Sequence, residues 1–313
     1  MHVITNADVV AAAERLAGLV RRTPVAVVEP GGLSGAGWLK CEYMQHTGTF
    51  KARGALNRVL AAQAAGELDP QVGVVGASGG NAGLAFAYAA SRCGVPATVF
   101  VPQTSSPVKV ARLRQLGATV VQQGAEYAVA HEAALKHAAD RGAVYCHAYD
   151  QPEMVAGAGT IGLELLADLP EGFDTVLVAV GGGGLMAGIA TALAGRARVV
   201  AVEPVNAPSL HAALAAGGPV DVPVSGAAVD SLGARRVGEI AYQVAVANGV
   251  ASVLVTDDEL IEARRLLWAD RRIAVEHGAA AALAALTSGA YRPAPGERVV
   301  VLACGANTDP SDL

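Results

Sequence analysis

Short apolar runs of strand character alternate with helical runs along almost the whole chain, and this alternation limits the fold more than any other feature. Strand-like runs occupy residues 36–41, 72–76, 97–101, 119–121, 175–180, 198–203, 252–255 and 298–303. Helix-like runs lie between them, notably at 54–65, 81–93, 107–116, 125–140, 185–194 and 258–268. Strands separated by helical crossovers pair in parallel, so the expected class is α/β with parallel sheets flanked by helices. An opening helix over 7–20 carries Val9, Val10, Ala13, Leu16, Ala17 and Val20 at helical spacing, with Thr5 and Asp8 spaced as a capping box. Thr256 and Glu259 repeat that start signal before the last helical run.

The 313 residues exceed what one hydrophobic core usually supports, so two lobes are expected, with a ligand cleft between them. A net charge of −5 without any Lys/Arg run argues against nucleic acid or an anionic membrane as partner. The start, MHVITNADVV, lacks a basic segment followed by an apolar one, so a cytoplasmic protein is expected. Cys41, Cys93, Cys146 and Cys304 are too dispersed for a structural zinc site or a disulfide framework. Residues 175–195 are uncharged over a bilayer-spanning length, but four consecutive glycines make them read as strand, turn and buried helix.

Lysine is scarce: there are four, against 19 arginines. One of them, Lys51, lies in TGTFKARGA, where small and hydroxylated residues and Phe50 precede it and Arg53-Gly54-Ala55 follow. An amine can be desolvated to a lower pKa and condense with a carbonyl; a guanidinium cannot. The competing reading of Lys51 is a solvated charge on a helix face.

Three further segments follow strand-like runs. In ASGGNAG (77–83), Ser78 and Asn81 open a helix whose free N–H groups suit a carboxylate; a plain helix cap with close-packing glycines is the alternative. In GGGGLMAG (181–188), four glycines allow the backbone to wrap an anion such as a phosphate. Gly182, Gly184 and Ala187 also match a dinucleotide fingerprint with Glu203 as its distal acid, which would make the chain a dinucleotide-dependent oxidoreductase. In ACGAN (303–307), Cys304 is either a buried small hydrophobe or a neutral partner for a ring nitrogen.

Taken in order, these four segments resemble the pyridoxal-phosphate enzymes of fold type II, over nearly the whole chain. EYMQHTGTFKARGA (42–55) is similar to the serine/threonine dehydratases, as are RTPV at 22–25, VEP at 202–204, DSLG at 230–233 and TDDE at 256–259. The resemblance implies a two-lobed, tryptophan synthase β-like fold, with residues 1–41 and 147–313 as the large cofactor-binding domain and 42–146 as the small domain. It implies that Lys51 carries pyridoxal 5'-phosphate as a Schiff base and then serves as base at Cα. Phe50 would pack on the ring, Asn81 would bond its hydroxyl, Gly181, Gly182, Gly183, Gly184 and Leu185 would hold the phosphate, and Cys304 would face the ring nitrogen. Ser78, Gly79, Asn81 and Ala82 would bind the carboxylate of an amino-acid substrate. The implied reaction is loss of water from L-threonine or L-serine, giving ammonia and 2-oxobutyrate or pyruvate, in a homodimer. Another hydroxyamino acid such as hydroxyaspartate is the alternative substrate, and a non-catalytic cofactor-binding sensor the alternative role.

Three departures from the family pattern carry expectations. Serine racemases of the family have a second serine, as base, where this chain has Gly79, so racemisation should be poor. Glu203 and Ala207 match two ligands of a family cation site, but Ser209 replaces the usual carboxylate; no divalent metal is expected, and a monovalent cation is the remaining option. Glu276-His277-Gly278 replaces a common Glu-Pro pair, and a packed or solvated role is expected for His277.

Overall fold

The computed structural model describes residues 4–29 and 31–313. Helix α1 (Asn6–Leu16) opens on the capping box, with the Thr5 hydroxyl accepting from the Asp8 N–H and the Asp8 carboxylate accepting from the Thr5 N–H. It ends at Leu16 rather than residue 20, because Gly18 turns the chain at φ +74°; Val20 nevertheless packs on the core beyond. Strands β1 (Val25–Val27) and β2 (Trp38–Lys40) pair antiparallel, and two 3₁₀ turns (Glu42–Met44 and His46–Gly48) deliver the chain to α2 (Lys51–Ala64).

Then follow β3 (Val74–Ala77), α3 (Asn81–Cys93), β4 (Ala97–Val101), α4 (Pro107–Gln115), β5 (Thr119–Gln122), α5 (Tyr127–Arg141) and β6 (Val144–Tyr145). Their strands make a four-stranded, all-parallel sheet in the order β5-β4-β3-β6. The remaining elements are α6 (Pro152–Asp168), β7 (Thr175–Ala179), α7 (Gly184–Leu193), β8 (Arg198–Pro204), α8 (Ser209–Ala216), α9 (Val229–Leu232), α10 (Glu239–Ala247), β9 (Ala251–Val255), α11 (Asp257–Arg271), α12 (His277–Thr287) and β10 (Val299–Leu302). They complete a six-stranded sheet, β1-β2-β10-β7-β8-β9, parallel except for β1. Two parallel sheets with helical crossovers are what the alternation implied. The uncharged stretch resolves into β7, a glycine turn and buried α7, and no helix among the described residues is long and apolar enough to cross a membrane.

Several elements carried no readable pattern. Helix α6 holds Gly157, Gly159 and Gly162 and is buried on most sides, so it shows neither helix propensity nor an amphipathic stripe. Its glycines are there for contact: a Cβ on Gly157 would lie 2.6 Å from the Arg53 carbonyl oxygen, and one on Gly54 would lie 2.7 Å from that of Met154. Helices α2 and α6 therefore meet backbone on backbone.

Beside this crossing lies a buried ionic network. The Arg53 guanidinium, fully excluded from solvent, donates two bonds to Glu42 (2.9 and 2.7 Å) and two to Glu164 (2.7 and 2.9 Å), plus one to the Thr160 hydroxyl at 3.1 Å. Lys40, equally buried, donates to Glu164 at 2.7 Å and to the Thr23 carbonyl at 2.8 Å. Asp168 stands 3.6 Å from the same Lys40 amine, so two buried cations face three carboxylates, and each buried charge has fixed hydrogen-bond partners, the condition under which burial is tolerated. Removing one member leaves an uncompensated buried charge, so Arg53→Met is expected to cost about 3–5 kcal/mol in urea unfolding. Lys136→Met, which breaks an exposed pair with Asp140, should leave the midpoint nearly unchanged. Equal shifts in the two variants would overturn this account.

Candidate active site

In each sheet, loops that leave the carboxyl ends of neighbouring strands flank a crevice, the usual ligand position in parallel α/β folds. Strands β7 and β10 are neighbours in the large sheet, so Gly181 and Cys304 leave it side by side; β3 and β6 are neighbours in the small sheet, releasing residues 78–80 and 146–151.

Lys51 is the first residue of α2. The loop before it is fastened to the loop after β10 by a bridge between Thr49 and Gly305 and by the Phe50 N–H donating to the Cys304 carbonyl at 3.1 Å. The Lys51 Nζ donates to the Ala148 carbonyl at 2.7 Å and lies 4.9 Å from the centre of the Phe50 ring. Burial holds its pKa down to about 8, although Cys304 and Glu276 pull the other way. At pH 7 about one amine in ten is then neutral and nucleophilic. The Cys304 thiol, also buried, is pushed well above its ordinary value and stays protonated.

Phe50, Lys51, Ala148, Tyr149, Gly184 and Leu185 are among the residues lining one small cavity. Gly184 and Leu185 begin α7, where the first N–H groups have no intrahelical partner and the dipole's positive end favours an anion. The loop before them accepts only glycine in places. Gly183 sits at φ +85°, and a Cβ on Gly182 would lie 2.2 Å from the Tyr149 ring.

A second, roomier cavity is lined by Gly79, Asn81, Lys109, Arg112, Asp230 and Glu276 among others. The Asn81 amide donates to both Glu276 oxygens (2.8 and 3.0 Å) and accepts from Asn307 at 2.8 Å. Burial pushes the Glu276 carboxyl up to about 7. Ser78 lies beside this cavity, its hydroxyl accepting from the Gly80 N–H at 3.2 Å, whereas the Ala82 side chain packs into the core of the four-stranded sheet.

Glu203 and Ala207 lie elsewhere. The Glu203 carboxylate accepts from the Leu210 and His211 N–H groups (2.7 and 2.8 Å) and from the Ser252 hydroxyl at 3.0 Å, satisfying the start of α8; burial raises it to about 7. Ser209 donates to the Gly181 carbonyl at 2.7 Å, so this cluster braces the glycine loop from behind. The Ala207 N–H bonds the Pro204 carbonyl. No three His, Cys, Asp or Glu side chains among the described residues are placed to hold a metal. His277, lowered by burial, has Arg264, Asp312 and Asp257 as its charged neighbours.

Glu276, which the sequence marks only as part of the Glu276-His277-Gly278 departure, joins the site together with Asn307 and Tyr149, to which the sequence gives no site role. Glu276 does carry a local signal, a carboxylate just before an unbroken apolar helix. Nothing local marks Asn307 or Tyr149, whose positions depend on tertiary packing.

Together the sites offer a desolvated amine for a carbonyl and a helix start for an anion in one cavity. The pyridoxal-phosphate dependent enzyme family matches residues 16–305. An L-threonine ammonia-lyase from Geobacter sulfurreducens is 39% identical over 275 residues, covering 87% of this chain and 67% of that protein. A phenylserine dehydratase from Ralstonia pickettii is 39% identical over 277 residues, covering 86% and 82%. The crystal structure of a threonine deaminase from T.th. superposes with a TM-score of 0.89 at 36% identity, covering 98% of this chain and 99% of that one. The chain belongs to the pyridoxal-phosphate dependent enzymes, in the fold type II group that contains the threonine and serine dehydratases.

Proposed function

We propose that this protein is an ammonia-lyase that eliminates water from L-threonine and L-serine, yielding ammonia with 2-oxobutyrate or pyruvate. The observation that carries the reading is Lys51, an amine held near neutrality in the cavity that also contains the start of α7. The relatives named for threonine ammonia-lyase and threonine deaminase support it. They outweigh the dinucleotide reading, whose acid, Glu203, is already engaged at α8.

The residues fit pyridoxal phosphate by their own chemistry: Lys51 for its aldehyde, the glycines at 181–184 with Leu185 for its phosphate, and a protonated Cys304 for its ring nitrogen. The buried hydroxyls of Thr47 and Thr49, lacking partners within the protein, also suit a site meant for a polar ligand. Phe50 would pack on the ring, and Asn81 would bond its hydroxyl. When bound, the cofactor supplies an electron sink beside the substrate Cα. Lys51 would take the Cα proton, while Ser78 and the backbone of Gly79, Asn81 and Ala82 would hold the carboxylate. A neutral Cys304 would leave the ring nitrogen without a charged partner, which suits an elimination better than chemistry that needs a strong electron sink. Residues 42–146 would form the small domain and 1–41 with 147–313 the large one, each built on its own sheet. Four free cysteines suit a reducing cytoplasm, and the family resemblance suits a homodimer.

Purified protein with the cofactor is expected to show a visible band that shifts with L-threonine while 2-oxobutyrate appears, and Lys51→Ala should lower turnover by about 10⁴-fold. A variant with full turnover would end the assignment. Because the neutral amine is the reactive form, cofactor reconstitution of the apoprotein should accelerate with pH and level off above about 8; continued acceleration past about pH 10 would mean an ordinary lysine. Gly79 has room for a Cβ, at 3.5 Å from the Ser105 hydroxyl, but presents no second base. L-Serine should therefore give pyruvate faster than D-serine, and the reverse ratio would refute the single-base reading.

A further inference from the structure

In a chain with only 4% Phe, Trp and Tyr, five rings form a connected cluster that reaches the Lys51 cavity at Tyr149. Tyr127 and His131, one turn apart on α5, stack at 5.8 Å. His131 meets Tyr145 edge-on at 5.9 Å and His147 at 6.0 Å, and His147 meets Tyr149 at 4.7 Å. Tyr145 ends β6, His147 and Tyr149 follow in the segment leaving it, and ring contacts of 6.4 Å and 4.7 Å join the three. Tyr127 is 48% exposed, while the other four are half-buried and Tyr145 packs on the core beneath, so the wall opens to solvent at its Tyr127 end.

Its position relative to the reactive nitrogen is fixed. Ala148, between His147 and Tyr149, holds the Lys51 Nζ through its carbonyl at 2.7 Å, and Tyr149 lines the Lys51 cavity. The wall is also uncharged. His147 Nδ1 accepts from the N–H groups of Tyr149 (3.2 Å) and Asp150 (2.8 Å), which puts its proton on Nε2. Burial holds His147 down to about 4 and lowers His131 too, so both imidazoles are neutral near pH 7. The adjacent carboxylate, Asp150, is turned to the start of α10, accepting from Glu239 and Ile240 at 3.1 Å each. Lysine, arginine and acidic groups line the other cavity instead, where Lys109 pairs with Asp230 at 2.9 Å.

We propose that this ring wall is the substrate side-chain site, and that it selects β-hydroxy-α-amino acids bearing an aromatic or bulky apolar β-substituent over serine. Neutral rings attract another ring by apolar burial and by edge and offset stacking, and offer nothing to a second carboxylate. The inference rests on Lys51 as the cofactor-bearing centre, and deepens that reading by naming the substrate class.

The test separates recognition from turnover. L-Phenylalanine and L-alanine carry no β-hydroxyl to expel, so their dissociation constants can be read from the shift of the cofactor's visible band in the holoenzyme. L-Phenylalanine should bind at least about tenfold more tightly, or about 1.4 kcal/mol. Tyr127→Ala and His131→Ala should each reduce that ratio to about threefold or less, with the unliganded band retained. Equal affinities in the wild-type protein, or a ratio unchanged in both variants, would overturn the proposal. With β-phenylserine and L-serine as substrates, absence of 2-oxo acid from both would remove the dehydratase reading; a preserved phenylalanine preference would still establish the wall.

Discussion

The double fork of Arg53 onto Glu42 and Glu164 is the interaction on which the arrangement depends. It ties the 3₁₀ turn after β2 and the first turn of α2, which are neighbours in sequence, to the C-terminal part of α6, 111 residues beyond Arg53. Arg53 lies two residues after Lys51, so the geometry that satisfies its guanidinium also fixes where the Lys51 backbone starts. An apolar core could hold these helices together, but slippage would cost it little; directed hydrogen bonds between planar groups define one position. The glycine contact between α2 and α6 gives the approach, and the charges set the register.

The amine, the glycine loop and the carboxylate loop are supported from different sides. Lys51 is set by this network, the glycine loop is braced through Ser209 and Glu203, and Asn81 is oriented by Glu276 and Asn307. Much of the polar inventory next to the site therefore aligns the groups that line the cavities.

The sequence exposed part of this and hid the rest for physical reasons. Parallel α/β architecture followed from alternating runs because strands such as β4 and β8 combine high apolar content with intervening amphipathic helices. Helix α12 escaped because residues 279–286 are buried all round, which erases the periodicity that identifies a surface helix. The two-residue β6 is too short to carry a pattern. Scarcity of lysine was a weaker guide than it looked: Lys40 is also scarce and also buried, yet its amine is engaged in ion pairs. The residues flanking Lys51 carried the discrimination. Glu276 and Asn307 become visible only once α12 and β10 are placed, since each meets Asn81 from the far end of the chain, 195 and 226 residues away.

Burial moves Lys51 and Glu276 toward each other from opposite ends of the titration scale, the amine down to about 8 and the carboxyl up to about 7. In water the same two groups differ by about six units, so a proton would pass from amine to carboxylate only at a cost of roughly 8 kcal/mol. Inside this protein that gap shrinks to about one unit, or roughly 1.4 kcal/mol. Burial thus removes most of the difference in proton affinity that separates an amine from a carboxyl in water, so the charge on each group is set by its neighbours in the fold more than by its chemical type.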